Sequence, residues 1–448
     1  MNRVCVHGLG YIGLPTAAML ANYDRSVFGY DTDPAVIGGL QQGNIHFDEP
    51  GLDAFVRRAF DHGTLTVRDE IVAADYHLIC VPTPFDEAER TADLSYVRDA
   101  ARSIQPHLRE GDTVVLESTV PPGTTREIIK PELEASGLTV GTDIGLAHCP
   151  ETVLPGNVIT ELRENNRVIG GVTPTCAQRA AELYDCFVTG DIHTVRSTSA
   201  AEFIKLIQNT YRDVNIALAN ELATIAADYG IDARDAFSHA NLHPRVDLLE
   251  PGPGVGGHCL PIDPWFLAHG SERLDLIDAA RRVNDGMAGY VIDQLRRELD
   301  TLDGHRIAIL GIAYKRNVDD TRRSPGLRIA QHLLSRSADP AEPVATGPHG
   351  NQVAATDGAS MMDGQDVATV QVSVCDPRVE SVPGIDLRPL SDAVAGADAA
   401  ILTVAHDEFQ ALLPDDLADR MDQRIIIDTR GILDVPEWTN AGFTVRRI

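Results

Sequence analysis

The N-terminal segment constrains this chain more than any other. Arg3-Val4-Cys5-Val6-His7 reads as a short buried strand, Gly8-Leu9-Gly10-Tyr11-Ile12-Gly13 as a tight turn opening a helix that ends near Tyr23, and Val27-Phe28-Gly29-Tyr30 as a second strand closed by Asp31. In that context each glycine has its own task. Gly8 permits the turn, Gly10 lets the backbone approach a pyrophosphate, and Gly13 lets helix and strand pack closely, with the helix N-terminus facing the phosphates. Asp31 can accept hydrogen bonds from both ribose hydroxyls and would repel a 2′-phosphate, and no Arg or Lys follows it directly. NAD is therefore expected rather than NADP, with Gly8, Gly10, Tyr11, Ile12, Gly13 and Asp31 at the cofactor.

Further strands alternate with helical stretches: His77 to Val81 before Pro82-Thr83-Pro84, and Thr113 to Leu116 before Glu117-Ser118-Thr119-Val120-Pro121-Pro122-Gly123-Thr124-Thr125. Such alternation predicts a doubly wound parallel sheet whose ligands lie beyond the carboxyl ends of its strands. Pro82, Thr83 and Thr119 should thus lie where the nicotinamide meets its substrate. The C-terminal third repeats the plan. Arg306-Ile307-Ala308-Ile309-Leu310-Gly311 echoes the first strand, Val372-Ser373-Val374-Cys375-Asp376-Pro377 the second with its terminal Asp, and 398–404 echoes 75–81. Gly311-Ile312-Ala313-Tyr314-Lys315 replaces the GxGxxG pattern, so the second sheet is expected to hold a mononucleotide diphosphate. The stretch 335–371, rich in Ala, Asp, Gly and Pro, reads as a long insertion into the repeat.

Between the two sheets the pattern is helical. Ser199-Ala200-Ala201-Glu202 has the form of a capping box, and the run through Tyr229 stops at Gly230. About 30 residues of helix span about 45 Å, enough to cross between domains or pack on a second subunit. Lys205, Asn209 and Arg212 share one of its faces. A second helix is expected over roughly 272–300. The fold expected is α/β: two Rossmann-like doubly wound parallel sheets joined by a central all-helical part. Its divisions are a cofactor domain over 1–195, a central helical domain over 196–300, and a second nucleotide-type domain over 301–448.

Charge excludes some partners. Against 66 acidic residues stand 38 basic ones, a formal net charge of −28 at pH 7, and a polyanion such as nucleic acid would be repelled over most of the surface. Of the basic residues only Lys130, Lys205 and Lys315 are lysine. Acidity with so little lysine reads as adaptation to concentrated salt, in an archaeal source; a GC-rich genome alone would explain the lysines but not the charge. No run of about 18 apolar residues occurs, and Met1-Asn2-Arg3-Val4-Cys5-Val6-His7 lacks the order of a signal peptide. A cytoplasmic protein without membrane attachment is expected. The seven cysteines form no CxxC pair, so neither a structural metal nor a disulfide framework is expected.

One cysteine stands apart. In Pro251-Gly252-Pro253-Gly254-Val255-Gly256-Gly257-His258-Cys259-Leu260-Pro261-Ile262-Asp263-Pro264 the glycines let the backbone wrap a ligand and form an anion nest. Pro261 suits the first position of a helix, which places Cys259 just ahead of a helix N-terminus whose dipole, with His258, favours the thiolate. A buried structural cysteine is the alternative; the nucleotide fold and the glycine nest favour a nucleophile.

These stretches, taken in order, resemble the UDP-glucose/GDP-mannose dehydrogenase family over nearly the whole chain. The matching segments are Gly8 to Leu14, Val81 to Pro84, Ser118 to Thr124, Cys149-Pro150-Glu151, Lys205-Leu206-Ile207-Gln208-Asn209-Thr210, the cysteine loop, and Lys315 through Asp320-Thr321-Arg322-Arg323-Ser324-Pro325. The resemblance implies an NAD-dependent four-electron oxidation of a UDP-sugar at C6. Cys259 would form a thiohemiacetal and then a thioester, Lys205 and Asn209 would stabilise the alkoxide, and Asp263, Thr119 and Glu151 would manage water and protons. It also implies a homodimer or larger homo-oligomer, with Arg245 of Asn241-Leu242-His243-Pro244-Arg245 reaching a neighbouring subunit. Glu151, Lys205, Asn209, Arg212, His243, Gly254, Gly256, Gly257, Lys315 and Arg322 would contact the substrate. His258, Pro264-Trp265-Phe266 and Asn209 through Asn215 look like the branch acting on UDP-N-acetyl-D-mannosamine, whose role is in cell-surface polysaccharide synthesis. Thr152, where that branch commonly carries Arg, keeps UDP-N-acetylglucosamine and UDP-glucose as alternatives. A non-catalytic nucleotide-sugar-binding protein is the alternative of another class.

Overall fold

The structure is a computed structural model and describes residues 2–338 and 369–448. The expected insertion over 335–371 therefore falls mostly outside the described residues. By internal contacts the chain divides into two compact units, Met1–Thr210 with Ile262–Arg273, and Tyr211–Pro261 with Leu274–Ile448.

The first unit is built on β1 (Arg3–His7), β2 (Ser26–Tyr30), β3 (Leu65–Arg68), β4 (Tyr76–Ile79), β7 (Thr113–Leu116), β8 (Gly145–His148), β9 (Arg167–Gly171) and β10 (Ile192–Val195), with a small hairpin of β5 (Phe85–Asp86) and β6 (Thr91–Ala92). The eight-stranded sheet runs β10-β9-β8-β7-β4-β1-β2-β3. The strands are mostly apolar on both faces because helices cover both, with His7, His77 and His148 among the buried polar exceptions. Val4, Val6, Leu78 and Val115 join one core layer, while Ile79, Val114 and Leu116 join the opposite one. From β3 to β8 the strands are parallel, as expected. The β8–β9 pair is antiparallel, with Ala147 opposite Gly171, so the all-parallel expectation fails at that edge. After β8 the chain turns back through the short helix Val158–Glu164 and enters β9 reversed, without the crossover that a parallel strand requires.

The second unit carries β11 (Arg306–Leu310), β12 (Gln371–Cys375), β13 (Ala399–Leu402), β14 (Ile425–Asp428) and β15 (Thr444–Arg447). All are parallel, in the order β12-β11-β13-β14-β15. The inferred repeat extends to individual hydrogen bonds. Gly8 N–H donates to Tyr30 O at 2.9 Å and Leu9 N–H to Asp31 Oδ2 at 2.7 Å; in the second sheet Gly311 N–H donates to Cys375 O at 2.8 Å and Ile312 N–H to Asp376 Oδ2 at 2.7 Å. Both turn glycines sit at positive φ, +89° for Gly8 and +101° for Gly311. The third fingerprint glycine also has a counterpart. A Cβ on Gly13 would lie 1.8 Å from Gly8 O, and one on Gly326 would lie 2.4 Å from Gly311 O. The second sheet thus keeps the first and last glycines of the pattern, separated by the loop carrying Lys315 and Arg322. Sequence spacing concealed this.

The central helix spans Thr198–Asp228. The predicted capping box is not its start: Ser197 Oγ accepts from Ala200 N–H at 3.1 Å, and Glu202 is turned elsewhere. A second long helix covers Asp275–Leu299. The helix after the cysteine loop is Asp263–Ala268, with Pro264 in its first turn, so it begins two residues later than Pro261 predicts. Ile262 rather than Leu260 precedes it, which leaves Cys259 in the irregular stretch before the helix. No helix among the described residues is long and apolar enough to cross a membrane.

Candidate active site

In the first unit the dinucleotide turn has the shape that its sequence predicts. Gly8 needs its positive φ, Gly13 has no room for a side chain, and a Cβ on Gly10 meets nothing within 4 Å. The open side of Gly10 is the cradle a pyrophosphate needs, and the next residues lead into the helix Gly13–Asn22 with Ile12 as its cap. Asp31, half-buried, is aimed by the Leu9 N–H bond and by Asp33 N–H at 2.9 Å, and its carboxylate retains acceptor capacity for a ribose. These residues fit NAD. Tyr11 turns its hydroxyl to buried Glu49, which also accepts from Gly156 N–H at 2.9 Å and Val158 N–H at 2.8 Å. Glu49 thus ties the turn to the segment after Glu151. Nothing in its sequence surroundings marks it.

At the carboxyl ends of the same strands, polar side chains meet. Thr83 Oγ1 donates to Thr119 O at 2.8 Å and Ser118 Oγ to Val81 O at 2.6 Å, which joins the turns after β4 and β7; Pro82 is exposed beside them. Buried Asn209 donates through Nδ2 to buried Asp263 Oδ2 at 2.6 Å. Burial pushes the Asp263 carboxyl up to about 6, with Lys205 and the Asn209 bond pulling it back. Burial likewise raises Glu151, against Lys205 and Arg167, and Glu151 accepts from Val153 N–H. Lys205 is therefore the cation that two buried acids share. An amide, an ammonium and two carboxyls with raised proton affinity are the groups needed to take a proton from an alcohol and hold an oxyanion.

Glu202 is the residue that the sequence reading misplaced. Only 1% exposed, it accepts from Gly123 N–H at 2.5 Å, Thr125 N–H at 2.8 Å and Thr125 Oγ1 at 2.6 Å. It clamps the Ser118–Thr125 turn onto the helix that bears Lys205 and Asn209. The signal available was its place one helical turn before Lys205. Glu202→Gln puts an NH₂ among three donors and loosens the turn. We expect kcat to fall roughly 10- to 100-fold, the cost of misplaced reacting groups, with the Kd for NAD changed less than threefold in an equilibrium titration.

The second unit holds the cysteine loop. Gly257 N–H donates to Arg322 O at 2.9 Å; a Cβ on Gly257 would strike the Tyr314 ring at 3.0 Å, and one on Gly256 would lie 2.8 Å from Arg323 O and 2.9 Å from Tyr314 Cβ. Gly254 sits at φ +119° with Asn284 O 2.7 Å from where its Cβ would be. The loop is therefore glycine-rich first because it lies flat on Tyr314 and the backbone. Cys259 is half-buried and reduced, close enough to Tyr314 that the two groups influence each other; burial and Asp320 raise the Tyr314 hydroxyl. Arg322 forks onto Asp320 at 2.6 to 3.0 Å, and Lys315 is half-buried on the same loop. Asp376 steadies that loop through Ile312 and Ala313 N–H, and His406 Nδ1 accepts from Asn317 N–H at 2.9 Å. A buried polar chain anchors the loop's start. Gly252 N–H donates to Asn220 Oδ1 at 2.8 Å, Asn220 Nδ2 to Asn284 Oδ1 at 2.9 Å, Asn284 Nδ2 to Asp213 Oδ1 at 2.9 Å, and Arg281 Nη1 to the same oxygen at 2.6 Å. Asp213 and Asn220 were not singled out in the sequence; their spacing of seven on one helix, which puts them on one face, was the signal available.

The division between the units falls between Pro261 and Ile262. Cys259, Arg212, His243, Arg245, Gly254, Gly256, Gly257, Lys315 and Arg322 belong to the second unit, and Thr119, Glu151, Lys205, Asn209 and Asp263 to the first. Arg212 is exposed on the long helix. His243 and Arg245 are exposed together, Arg245 Nη2 lying 3.4 Å from His243 Nε2.

A dinucleotide cradle beside an acid, amide and lysine cluster, followed by a second nucleotide-type sheet bearing a cysteine loop, defines an NAD-dependent dehydrogenase. The chain belongs to the UDP-glucose/GDP-mannose dehydrogenase family, whose NAD binding domain matches residues 2–188, central domain residues 199–286 and UDP binding domain residues 308–435. It is 39% identical to a UDP-N-acetyl-D-mannosamine dehydrogenase of Methanococcus maripaludis over 100% of this chain and 96% of that one. It is 40% identical to an NDP-N-acetyl-D-galactosaminuronic acid dehydrogenase of Ralstonia nicotianae over 96% of each. The solved UDP-D-ManNAc dehydrogenase of Pyrococcus horikoshii superposes with a TM-score of 0.86 at 37% identity, covering 100% of this chain and 99% of that one.

Proposed function

We propose that this protein oxidises the C6 hydroxymethyl of UDP-N-acetyl-D-mannosamine to the uronate in two NAD-dependent steps. The full-length likeness to the Methanococcus enzyme carries this reading, and the cysteine loop ending in Pro264-Trp265-Phe266 agrees with it. NAD, which Gly8, Gly10, Gly13 and Asp31 would hold, would supply the hydride acceptor for each of the two oxidations, one NAD per step. The chain's own groups do the rest. Asp263 with Glu151 and Thr119 takes the hydroxyl proton directly or through water, and Lys205 and Asn209 hold the oxyanion. Cys259 adds to the aldehyde carbon, restoring an sp³ centre that can lose a second hydride, and water then releases the acid from the thioester. Gly254, Gly256 and Gly257 offer backbone to the sugar nucleotide, Lys315 and Arg322 face its diphosphate, and Arg212, His243 and Arg245 complete the substrate contacts. The cofactor part is 1–195, the helical part 196–300 and the UDP-sugar part 301–448.

A second sugar remains a distinct reading, because the Ralstonia relative is as similar and Thr152 departs from the mannosamine pattern. UDP-N-acetylglucosamine, UDP-N-acetylgalactosamine and UDP-glucose are its candidates. The test is NADH formation with each UDP-sugar in molar potassium chloride. Two NADH per UDP-N-acetyl-D-mannosamine, with kcat/KM at least about tenfold above every other sugar, is the expected result; preference for another sugar overturns the assignment, and binding without turnover overturns catalysis.

We further infer a homodimer. Tyr211, Leu218, Ile225 and Tyr229 are 45% to 77% exposed at helical spacing along the long helix, an apolar stripe that a second copy would cover. The charge of −28 supports a salt-adapted, cytoplasmic enzyme, and a role in polysaccharide synthesis follows from the proposed product.

A further inference from the structure

The strand that leads into the dinucleotide turn carries side chains with no part in this chemistry. Cys5 and His7 alternate with Val4 and Val6 on β1, and His77 is the register partner of Cys5 on neighbouring β4. Cys5 and His77 are 0% exposed and His7 is 1% exposed. His7 Nε2 and His77 Nδ1 lie 3.1 Å apart, and the sulfur and one nitrogen of each ring fall within 4.8 Å of one another.

A purely structural role accounts poorly for this trio. The bond between the imidazoles uses one nitrogen of each, and His7 Nδ1 and His77 Nε2 have no hydrogen-bond partner. Whichever ring donates, one buried N–H is left unsatisfied, at a cost that two apolar side chains would avoid. Burial keeps both rings neutral, His77 being pushed down to about 3 and His7 well below its usual range, with His107 adding to the effect on each. A neutral imidazole is the form that binds a metal.

We infer that Cys5, His7 and His77 form a binding site for a soft d¹⁰ cation, and that Cu(I) is the ion whose charge and coordination number suit it. Two nitrogens 3.1 Å apart subtend roughly 100° at a metal about 2.0 Å from each, so the metal would take the place of the hydrogen bond between the rings, and the sulfur, within 4.8 Å of a nitrogen of each ring, would close on it to complete a three-coordinate set. Thiolate with Cu(I) is neutral, as burial among apolar layers requires; Zn(II) would leave a net positive charge and require a fourth ligand. Binding makes one Cu–S bond, breaks the S–H bond and releases that proton to solvent, with no electron transferred. Burial pushes the Cys5 thiol up to about 11, so the metal displaces a proton that neutral pH alone does not remove. Because His7 immediately precedes Gly8, the ion would fix the end of β1 beneath the cofactor turn.

The test uses the full chain carrying Cys259→Ser, Cys80→Ala and Cys186→Ala, which removes the three half-buried thiols that would compete. Cu(I) is titrated against a chromophoric Cu(I) chelator, in parallel with the added changes Cys5→Val and His77→Phe. The expected result is one tightly held Cu(I) per chain, weakened at least 100-fold by either change, with copper-edge X-ray absorption showing one sulfur and two nitrogens. Equal copper retention in Cys5→Val, or an all-sulfur ligand set, overturns the site. Equally tight Zn(II) binding that Cys5→Val abolishes overturns the choice of ion. Should the variants fail to fold, the absorption spectrum of the chain with Cys5, His7 and His77 intact decides.

Discussion

Replacing Cys259 by serine will stop uronate formation while leaving UDP-sugar binding intact. The second oxidation needs a nucleophile that adds to the aldehyde and then leaves as a stable anion. Sulfur does both near neutral pH, whereas a serine hydroxyl at the same place ionises far less and makes an ester that water opens slowly. We expect four-electron turnover to fall about a thousandfold or more, about 4 kcal/mol in the barrier. Hydroxylamine should then trap the aldehyde, and UDP-sugar affinity should change less than threefold by calorimetry. Uronate formed at more than a tenth of the parent rate would remove Cys259 from the chemistry. The variant should melt with the parent, because Cys259 is half-buried in an irregular stretch and its loop is held by Gly252, Gly254 and Gly257.

Asp263→Asn is the second large effect. The carboxylate is fully enclosed, bonded to Asn209 Nδ2 at 2.6 Å, and pushed up to about 6 by burial. An acceptor of that strength is ionised at neutral pH yet basic enough to take a proton, and its loss costs roughly 10² to 10⁴ in kcat. The parent's kcat should fall on the acid side with a midpoint near 6; in the variant that limb should vanish. The sign of the stability effect is opposite. The folded state raises this carboxyl above its unfolded value, so its contribution to stability is present below about pH 4 and lost as the pH rises through about 6. At pH 8 the asparagine variant should therefore melt no lower than the parent, which separates a catalytic loss from a folding loss. A parent profile without an acid limb between pH 5 and 7 would assign the proton to another group.

Much of the fold was legible because its signals are local. A strand, a glycine turn and a helix within one short segment leave few alternatives, and apolar runs bounded by polar turns located β1, β2, β4 and β7 of the first sheet and β11, β12 and β13 of the second, but not β3, β8, β14 or β15. The reversed β9 was not legible, since a buried strand has the same composition in either direction. The counterpart of Gly13 escaped for a related reason. Gly326 performs the same close approach, but a loop separates it from Gly311, and spacing is all that a pattern can see. Capping failed at Glu202 because its carboxylate has two sets of N–H groups to choose from. The helix start offered one, and the Gly123–Thr125 turn offered three better placed donors.

The sequence by itself determined which residues could do chemistry: three lysines in a chain of acids and arginines made Lys205 and Lys315 conspicuous, and the glycines around Cys259 marked a backbone laid against something. Only the tertiary structure decided what those groups feel. Desolvation raises the Asp263 and Glu151 carboxyls, and Lys205 acts on both from another part of the chain. Glu202, Glu49 and the Asp213, Asn220 and Asn284 chain hold the working groups in place through contacts between residues far apart in sequence. Burial and distance are properties of the packed chain, and it is they that turn a list of residue types into proton affinities and fixed positions.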